Sequence, residues 1–162
     1  MTDPAPYDTD AAALLWERYV AAFPDAAASS PEYTVERFGD SARLADELLG
    51  HVLSGRKRAT ATLLLEFAAE NEPLPRIGGH WIVCDGAGRP QVVVRTVELR
   101  LSSFADVDEA FAHDEGEDDR TLASWRREHT RYWQRRCTAL GRVWSPDDDL
   151  ILLERFDVVF PA

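Results

Sequence analysis

The chain has 162 residues, of which 45% are hydrophobic, and it carries a formal net charge of -11 at pH 7. This length supports one well-buried core and is too short for two typical domains. The negative charge opposes attraction to nucleic acid over the whole surface, so it excludes a general binder of long duplex DNA. Binding of a short substrate in a local basic groove stays compatible with it.

Membrane and secretion signals are missing from the sequence. No stretch approaches the ~20 consecutive apolar residues of a membrane helix, and Met1-Thr2-Asp3-Pro4 lacks the basic start and apolar block of a signal peptide. We therefore expect a cytoplasmic protein without a membrane partner. Cys84 and Cys137 have no metal-type spacing, and we expect both to be reduced and buried.

The first 32 residues are predicted to form an N-terminal lead-in and helix ahead of a domain over residues 33–162. Residues 1–8 have little to bury, so we expect them to be mobile. Residues 9–23 show apolar positions at helical spacing, with Asp10 as the predicted cap.

A second helix is predicted to follow a connector with some strand character. Asp40 or Ser41 can cap its start, and Gly55 is a natural stop. One face of this helix is apolar, as indicated by Leu44, Leu48, Leu49 and Val52.

A cationic turn comes directly after this helix. Arg56, Lys57 and Arg58 are consecutive, and Thr60 follows in a brief strand that we expect to turn into a helix near Thr62. Because three charges do not suit a core, the turn is predicted to face solvent or a polyanion. A bend in the chain would bring the Lys57 ammonium and the Thr60 hydroxyl together.

Three more strands are predicted further along the chain. Residues 80–85 and 91–101 read as a β-hairpin, and residues 150–160 are apolar enough to be central in a sheet. The strands do not alternate regularly with helices. The pattern therefore favours an α+β fold, a small mixed β-barrel with helices packed around it, over a doubly wound parallel sheet.

An acidic turn at residues 114–119 lies between a short predicted helix, residues 106–112, and the longest one, residues 120–140. Its five carboxylates within six residues are a candidate site for a divalent cation, but they lack the ligand order of an EF-hand loop. More often such a run is solvated and stabilises the start of the next helix. We therefore assign no metal ligand and keep a divalent metal ion only as a candidate cofactor.

A set of short motifs occurs along the chain in a particular order. They are Phe38-Gly39-Asp40, Ala45-Asp46-Glu47-Leu48, Gly55-Arg56-Lys57, Thr60, Glu72-Pro73-Leu74-Pro75, Glu115-Gly116-Glu117-Asp118, Trp125-Arg126 with His129, and Glu154-Arg155-Phe156. With these motifs the chain resembles the ASCH domain family, small proteins with a PUA-like β-barrel, over about Tyr33 to Pro161. Arg58 stands where the family often has threonine, and Thr121 where it often has serine.

The resemblance implies RNA or nucleoside substrates. Some small members of the family are amidohydrolases that remove the acetyl group from acetylcytidine, and a longer member is a metal-assisted ribonuclease on single strands. Lys57 and Thr60 match the catalytic lysine and threonine of the amidohydrolases. Glu115 is the best match to the catalytic glutamate, with Glu117 two residues away as the alternative.

Amide hydrolysis needs an activated nucleophile and a proton donor for the leaving amine. A threonine hydroxyl attacks only if a base accepts its proton, and a lysine is such a base only when burial or neighbouring charges lower its pKa. Arg56 and Arg58 are the neighbouring charges in this chain. Glu115 or Glu117 would carry the proton to the departing nitrogen. The alternative is that Lys57 is a solvated turn cation and Thr60 an ordinary strand residue.

Six further residues are predicted to contact the substrate. They are Arg56, Arg58, Glu117, Trp125, Arg126 and His129. An aromatic face can stack on a base while a guanidinium meets a phosphate. The alternative for the last helix is that its inward stripe, which includes Trp125 and His129, belongs to the core.

The function favoured at this point is a hydrolase that acts on RNA or a modified nucleoside through a lysine-centred pocket, either a ribonuclease or an acetylcytidine amidohydrolase. A non-catalytic RNA-binding module is the competing hypothesis. The sequence indicates no oligomeric state.

Overall fold

The computed structural model describes residues 4–161, which form six helices and five strands. The helices are α1 (Thr9–Ala22), α2 (Pro24–Ser29), α3 (Ala42–Leu53), α4 (Leu64–Ala69), α5 (Glu109–Glu115) and α6 (Leu122–Ala139). The strands are β1 (Tyr33–Glu36), β2 (Ala59–Leu63), β3 (His80–Cys84), β4 (Pro90–Ser102) and β5 (Ile151–Pro161). These elements confirm the predicted α+β class.

The five strands are hydrogen-bonded in the order β1-β3-β4-β5-β2. The strands β3 and β4 form the predicted hairpin and pair antiparallel, β1 pairs parallel with β3, and β2 pairs antiparallel with β5. The short strand β2 is therefore at an edge of the sheet. Edge strands present unpaired main-chain groups that other parts of a protein can cover.

The chain divides into two compact units. The first contains the described residues up to Gly55, together with Arg76–Val97 and the residues from Phe156 onward. In this unit the buried face of α1 packs on the hairpin strands, with Leu15 and Tyr19 in one hydrophobic cluster with Ile82 and Val93.

The N-terminal segment of this unit differs in detail from the prediction. Asp8, not Asp10, caps α1, because the Asp8 carboxylate accepts a hydrogen bond from the Ala11 N–H at 2.9 Å. The Asp8 N–H in turn donates to the Gly88 carbonyl at 2.9 Å. Of the segment predicted to be mobile, residues 1–3 lie outside the described residues.

The second unit consists of Arg56–Pro75 and Glu98–Arg155 and contains every residue of the candidate site. Its hydrophobic core is rich in aromatic side chains, with Phe111, Trp125, Trp133 and Trp144 buried together. A tryptophan buries a large apolar area, so this core is well anchored for its size.

Two helices of the second unit carry the site. The helix α6 is capped by Thr121, whose side chain accepts from the Ser124 N–H, and it buries Trp125, His129, Trp133 and Cys137. The helix α5 begins later than predicted, after Asp108, and it ends at Glu115. Glu115 is therefore a helical residue, although the sequence placed it in a turn.

Within the described residues 4–161, no helix is long and apolar enough to cross a membrane.

Candidate functional site

The cationic turn and the acidic turn of the sequence lie against each other in the second unit. The Arg58 N–H donates to the Asp114 carbonyl at 2.8 Å, and Arg56 Nε donates to the Gly116 carbonyl at 2.6 Å. A second nitrogen of the Arg56 guanidinium donates to the Asp118 carbonyl. The two segments are therefore joined by hydrogen bonds to main-chain carbonyls of the acidic turn, and Lys57 lies between Arg56 and Arg58.

Gly116 allows this close approach. It ends α5 with a positive φ of 74°, and a Cβ on this residue would lie 2.2 Å from the Arg56 carbonyl oxygen. Any other residue would therefore have both an unfavourable backbone conformation and a steric clash. Because Gly116 separates Glu115 from Glu117, the same turn directs these two carboxylates to different surroundings.

Lys57 is buried, with a side chain only 1% exposed. Its Nζ donates to Glu117 Oε1 at 2.7 Å and to the Glu115 main-chain carbonyl at 3.4 Å, and it lies 3.8 Å from Glu115 Oε1. The expectation that the cationic turn faces solvent is therefore wrong for Lys57. The reason is that the acidic segment supplies the partners that a buried ammonium requires.

The Glu115 carboxylate is the most enclosed acid of the site, with a side chain 2% exposed. Its Oε1 accepts from the Ala61 N–H at 3.0 Å and lies 3.3 Å from His129 Nε2. Its Oε2 accepts from the Trp125 indole N–H. Glu115 thereby also covers a main-chain donor of the edge strand β2.

The pKa values of Glu115 and His129 move in opposite directions. Burial tends to raise the pKa of Glu115, but the positive charges of His129 and Lys57 and the hydrogen bonds from His129 and Trp125 outweigh it, so this pKa is lowered. Burial tends to lower the pKa of His129, but the charge and hydrogen bond of Glu115 outweigh it, so that pKa is raised. Both shifts favour an imidazolium paired with a carboxylate.

The Trp125 side chain contacts both members of the pair formed by Glu115 and His129. Its ring stacks on the His129 ring with centroids 4.1 Å apart and planes inclined by 17°. Only 5% of Trp125 is exposed, which leaves little ring surface for stacking on a base. This position supports the alternative that Trp125 and His129 belong to the core stripe.

Glu117 is the more exposed of the two glutamates that face Lys57. Its side chain is 30% exposed, while its Oε1 still accepts from Lys57 at 2.7 Å. An external group can therefore reach the Glu117 carboxylate, the partner of Lys57, without opening the core.

Thr60 lies in β2 and is paired with Glu154 of β5. Ala59 and Leu63 of the same strand are completely buried in the core of this unit. Because side chains alternate along a strand, Thr60 faces the opposite side of the sheet from these two residues. Thr60 is the second residue of β2, and Lys57 precedes the strand by two positions. The approach of the Lys57 ammonium to the Thr60 hydroxyl stays a prediction.

The predicted substrate-binding arginines occupy different settings. The Arg58 side chain is 58% exposed and pairs with Asp114 at 3.1 Å. Arg126 donates to the Ala105 carbonyl at 3.0 Å, while its Nε is buried and has no hydrogen-bond partner among residues 4–161. Arg56, as described above, is engaged by two main-chain carbonyls. Arg58 is therefore the most accessible of the three for a phosphate.

Glu115 and Glu117 both face Lys57, but the other three carboxylates of the acidic turn have separate partners. Asp114 pairs with Arg155 at 3.0 Å, Asp118 accepts from Ser124 at 2.6 Å, and Asp119 accepts from Thr121 at 2.7 Å. No group of three or more His, Cys, Asp or Glu side chains in the described part of the chain is arranged to hold a metal ion. A divalent cation prefers several oxygen ligands around one centre, so these residues do not fit one as they stand.

One signal in the sequence points to this site more sharply than any motif. Lys57 is the only lysine among the eighteen lysine and arginine residues of the chain. The contact between Glu115 and His129 could not be read in the same way, because it joins two helices through tertiary packing. The role of Gly116 likewise depends on the approach of the segment at Arg56.

The fold and the site together define a PUA-like α+β protein with a buried lysine held by two glutamates. The ASCH domain model matches residues 34–160, which is most of the chain. The chain belongs to the ASCH domain family, as its motifs predicted.

Two solved structures are similar to this chain over most of their length. The ASCH domain from Lactobacillus crispatus JV V101 is 26% identical with a TM-score of 0.85, and the match covers 93% of this chain and 95% of that one. Protein EF3133 from Enterococcus faecalis V583 is 28% identical with a TM-score of 0.82, over 94% of this chain and 90% of that one. The search of curated proteins gave no significant match.

Proposed function

We propose that this protein is a hydrolase that acts on RNA or a modified nucleoside at a site centred on Lys57. The observation that carries the proposal is that the only lysine of the chain is buried between the carboxylates of two glutamates, of which Glu117 is partly exposed. Burial of a charged side chain is costly and is uncommon without a role. We expect the protein to act in the cytoplasm.

The choice of lysine supports a chemical role. Every other long basic side chain of the protein is an arginine, including those that pair with carboxylates elsewhere in the second unit, such as Arg136 and Arg155. Arginine forms bidentate pairs through a planar fork, whereas the lysine ammonium is a compact charge that can direct a hydrogen bond at a single developing oxyanion. A cation with a purely structural role at position 57 would not need to be a lysine in a chain that otherwise uses arginine.

Deacetylation of acetylcytidine is the reaction that these groups serve best. The oxygen of the Thr60 hydroxyl or of a water molecule attacks the acetyl carbon, and Glu117 accepts the proton that this oxygen loses. Lys57 donates a hydrogen bond to the developing oxyanion. The carbon–nitrogen bond then breaks, the proton passes from Glu117 to the departing nitrogen, and acetate and cytidine are released, after hydrolysis of the acetyl ester if Thr60 attacked.

The acidic turn bears on the choice between the two hydrolase reactions. A metal-assisted ribonuclease needs carboxylates that meet at one metal ion. In the acidic turn Glu115 and Glu117 face the Lys57 ammonium, and the three aspartates are directed to separate partners. This arrangement supports the amidohydrolase over the ribonuclease.

The exposed Arg58 favours the second candidate, a non-catalytic RNA-binding module, since it can hold a phosphate without any chemistry.

The experiment compares wild type with Lys57→Ala. Each protein is incubated with acetylcytidine and with a short single-stranded RNA, with and without manganese, and products are read by mass spectrometry while RNA binding is measured in parallel. We expect cytidine and acetate from the wild type and none from the variant. RNA binding without any product would reject the catalytic proposal and support the binding module.

A further inference from the structure

We propose that His129 is a positioning residue which, as an imidazolium, fixes the Glu115 carboxylate beside Lys57 and leaves Glu117 as the carboxylate that exchanges with substrate. The inference rests on the proposed function for the identity of the site. It divides the duties of two acids that the sequence could not distinguish.

The hydrogen bonds of the His129 ring define its protonation. Its Nδ1 lies 2.9 Å from the Trp125 carbonyl oxygen, and its Nε2 lies 3.3 Å from Glu115 Oε1. A carbonyl oxygen can only accept, so Nδ1 carries a proton. A neutral ring would then direct the lone pair of Nε2 at a carboxylate oxygen, which is repulsive. A ring protonated on both nitrogens satisfies both contacts.

The surroundings of Glu115 agree with this assignment. Its carboxylate faces donors from the Ala61 main chain, the Trp125 indole and Lys57 as well as from His129. A protonated Glu115 could donate its O–H only to Nε2 of a neutral His129 ring. The donors on both carboxylate oxygens, with the lowered pKa of Glu115 and the raised pKa of His129, favour the ionised pair over this neutral one. The carboxylate is therefore ionised, and a buried carboxylate with this many fixed donors has little freedom to move toward a substrate.

The charges around His129 come from three segments of the second unit. Glu115 ends α5, Glu117 lies in the turn after it, and Lys57 precedes β2, while Trp125 and Trp133 of α6 enclose the ring. With Lys57 and His129 positive and both glutamates negative, the group is neutral in total. Loss of the His129 charge would leave one negative charge uncompensated in a buried position.

The same geometry makes Glu117 the exchangeable acid. Glu117 is 30% exposed, whereas Glu115 is 2% exposed. An entering acyl or phosphoryl oxygen can take the place of Glu117 on Lys57 Nζ while Glu115 keeps the lysine in place. Glu117 then stands beside the substrate, where it can accept or donate a proton.

Nuclear magnetic resonance with selective labelling tests this inference on the whole chain. Histidine labelled with ¹⁵N gives four side chains to follow, and lysine labelled with ¹⁵N gives one, Lys57. The His129 signals are those that disappear in His129→Gln, and His51→Gln is the matched control outside the site. We expect both His129 nitrogens to be protonated at neutral pH, and the Lys57 Nζ signal to shift in His129→Gln but not in His51→Gln.

Two results would overturn the inference. One is a neutral His129 ring in the wild type at neutral pH, and the other is a Lys57 signal that is the same in wild type and His129→Gln. If His129→Gln does not fold, the His129 signals are identified by comparing wild type with Glu115→Gln. This substitution should lower the pH at which one ring, that of His129, becomes neutral. A ring that titrates identically in both proteins would also reject the inference.

Turnover separates this inference from the function on which it rests. If the labelled proteins behave as expected but the wild type yields no product, the proposed reaction fails and the coupling between His129, Glu115 and Lys57 stands. If the wild type is active, His129→Gln should lower kcat more than it raises KM and should move the pH profile. A profile with unchanged shape would mean that His129 only packs in the core.

Discussion

At the scale of single residues, the two glutamates of the site are expected to respond differently to the same substitution. Glu117→Gln keeps the size of a partly exposed side chain, so it should leave the melting temperature close to that of wild type. It removes the group that accepts the proton, so turnover should fall by ~10²–10⁴-fold. Glu115→Gln should instead lower the melting temperature, because it leaves Lys57 and His129 without their buried counter-charge.

Calorimetry and steady-state kinetics on the two variants check this prediction. Equal melting temperatures for both variants would show that Glu115 does not anchor the site. Full activity of Glu117→Gln would show that Glu117 accepts no proton in the reaction.

The buried pair also predicts how stability depends on pH. The lowered pKa of Glu115 stabilises the fold above the ordinary carboxyl range, and this contribution is lost as pH falls through the lowered value. The raised pKa of His129 stabilises the fold below about 6.5, the ordinary histidine value, and this contribution is lost as pH rises through the raised value. Both contributions are complete only between about pH 4.5 and 6.5.

Urea unfolding of wild type and His129→Gln, at pH values below and above 6.5, measures the free energies of unfolding that check this prediction. The difference between their free energies of unfolding should be largest below pH 6.5 and should shrink at higher pH. A difference that does not change with pH would indicate that His129 carries no charge in the folded state.

At the scale of elements, Gly116, which ends α5 within the acidic turn, is expected to be intolerant of a side chain. Gly116→Ala meets both a positive φ and the Arg56 carbonyl oxygen. Gly141→Ala is the matched control, because Gly141 has φ of 72° and nothing lies within 4 Å of the position of its Cβ. The control should cost about 1 kcal/mol from φ alone, and Gly116→Ala should cost clearly more.

Urea unfolding measures the loss of free energy of unfolding in both variants. A Lys57 Nζ signal that shifts in Gly116→Ala but not in Gly141→Ala would show that the structural change lies at the site. Equal destabilisation by the two substitutions would mean that the segment at Arg56 moves away from the added Cβ without a cost in stability.

The sequence predicted those elements whose own residues define them. The cap at Ser41 and the apolar face of α3 follow from local spacing, as does the buried stripe of α6. The end of α5 was placed too early, because the prediction stopped the helix before the acidic residues, whereas Glu115 continues it with partners from other elements. Pairs such as Glu115 and His129 depend on how helices pack, which spacing along one helix does not reveal.

At the scale of the whole molecule, the first 32 residues are proposed as a segment separate from the ASCH domain, but we expect them to contribute to stability. Leu15 and Tyr19 of α1 are buried in one cluster with Ile82 and Val93. Burial of one such side chain contributes ~1.5–3 kcal/mol. Deletion of residues 1–32 should therefore lower the melting temperature markedly, as measured by calorimetry. An unchanged melting temperature would show that residues 33–162 are stable alone.

The most direct test of the central claim is the hydrolysis of acetylcytidine by wild type and by Lys57→Arg, with cytidine and acetate measured by mass spectrometry. Arginine keeps the positive charge but places a larger, planar group in a buried position, so its N–H donors do not take the place of the Lys57 ammonium beside the oxyanion. We predict product from the wild type and a loss of at least ~10²-fold in turnover for Lys57→Arg. Equal turnover by the two proteins, or no product from the wild type, would contradict the account of Lys57 as the centre of a deacetylating site.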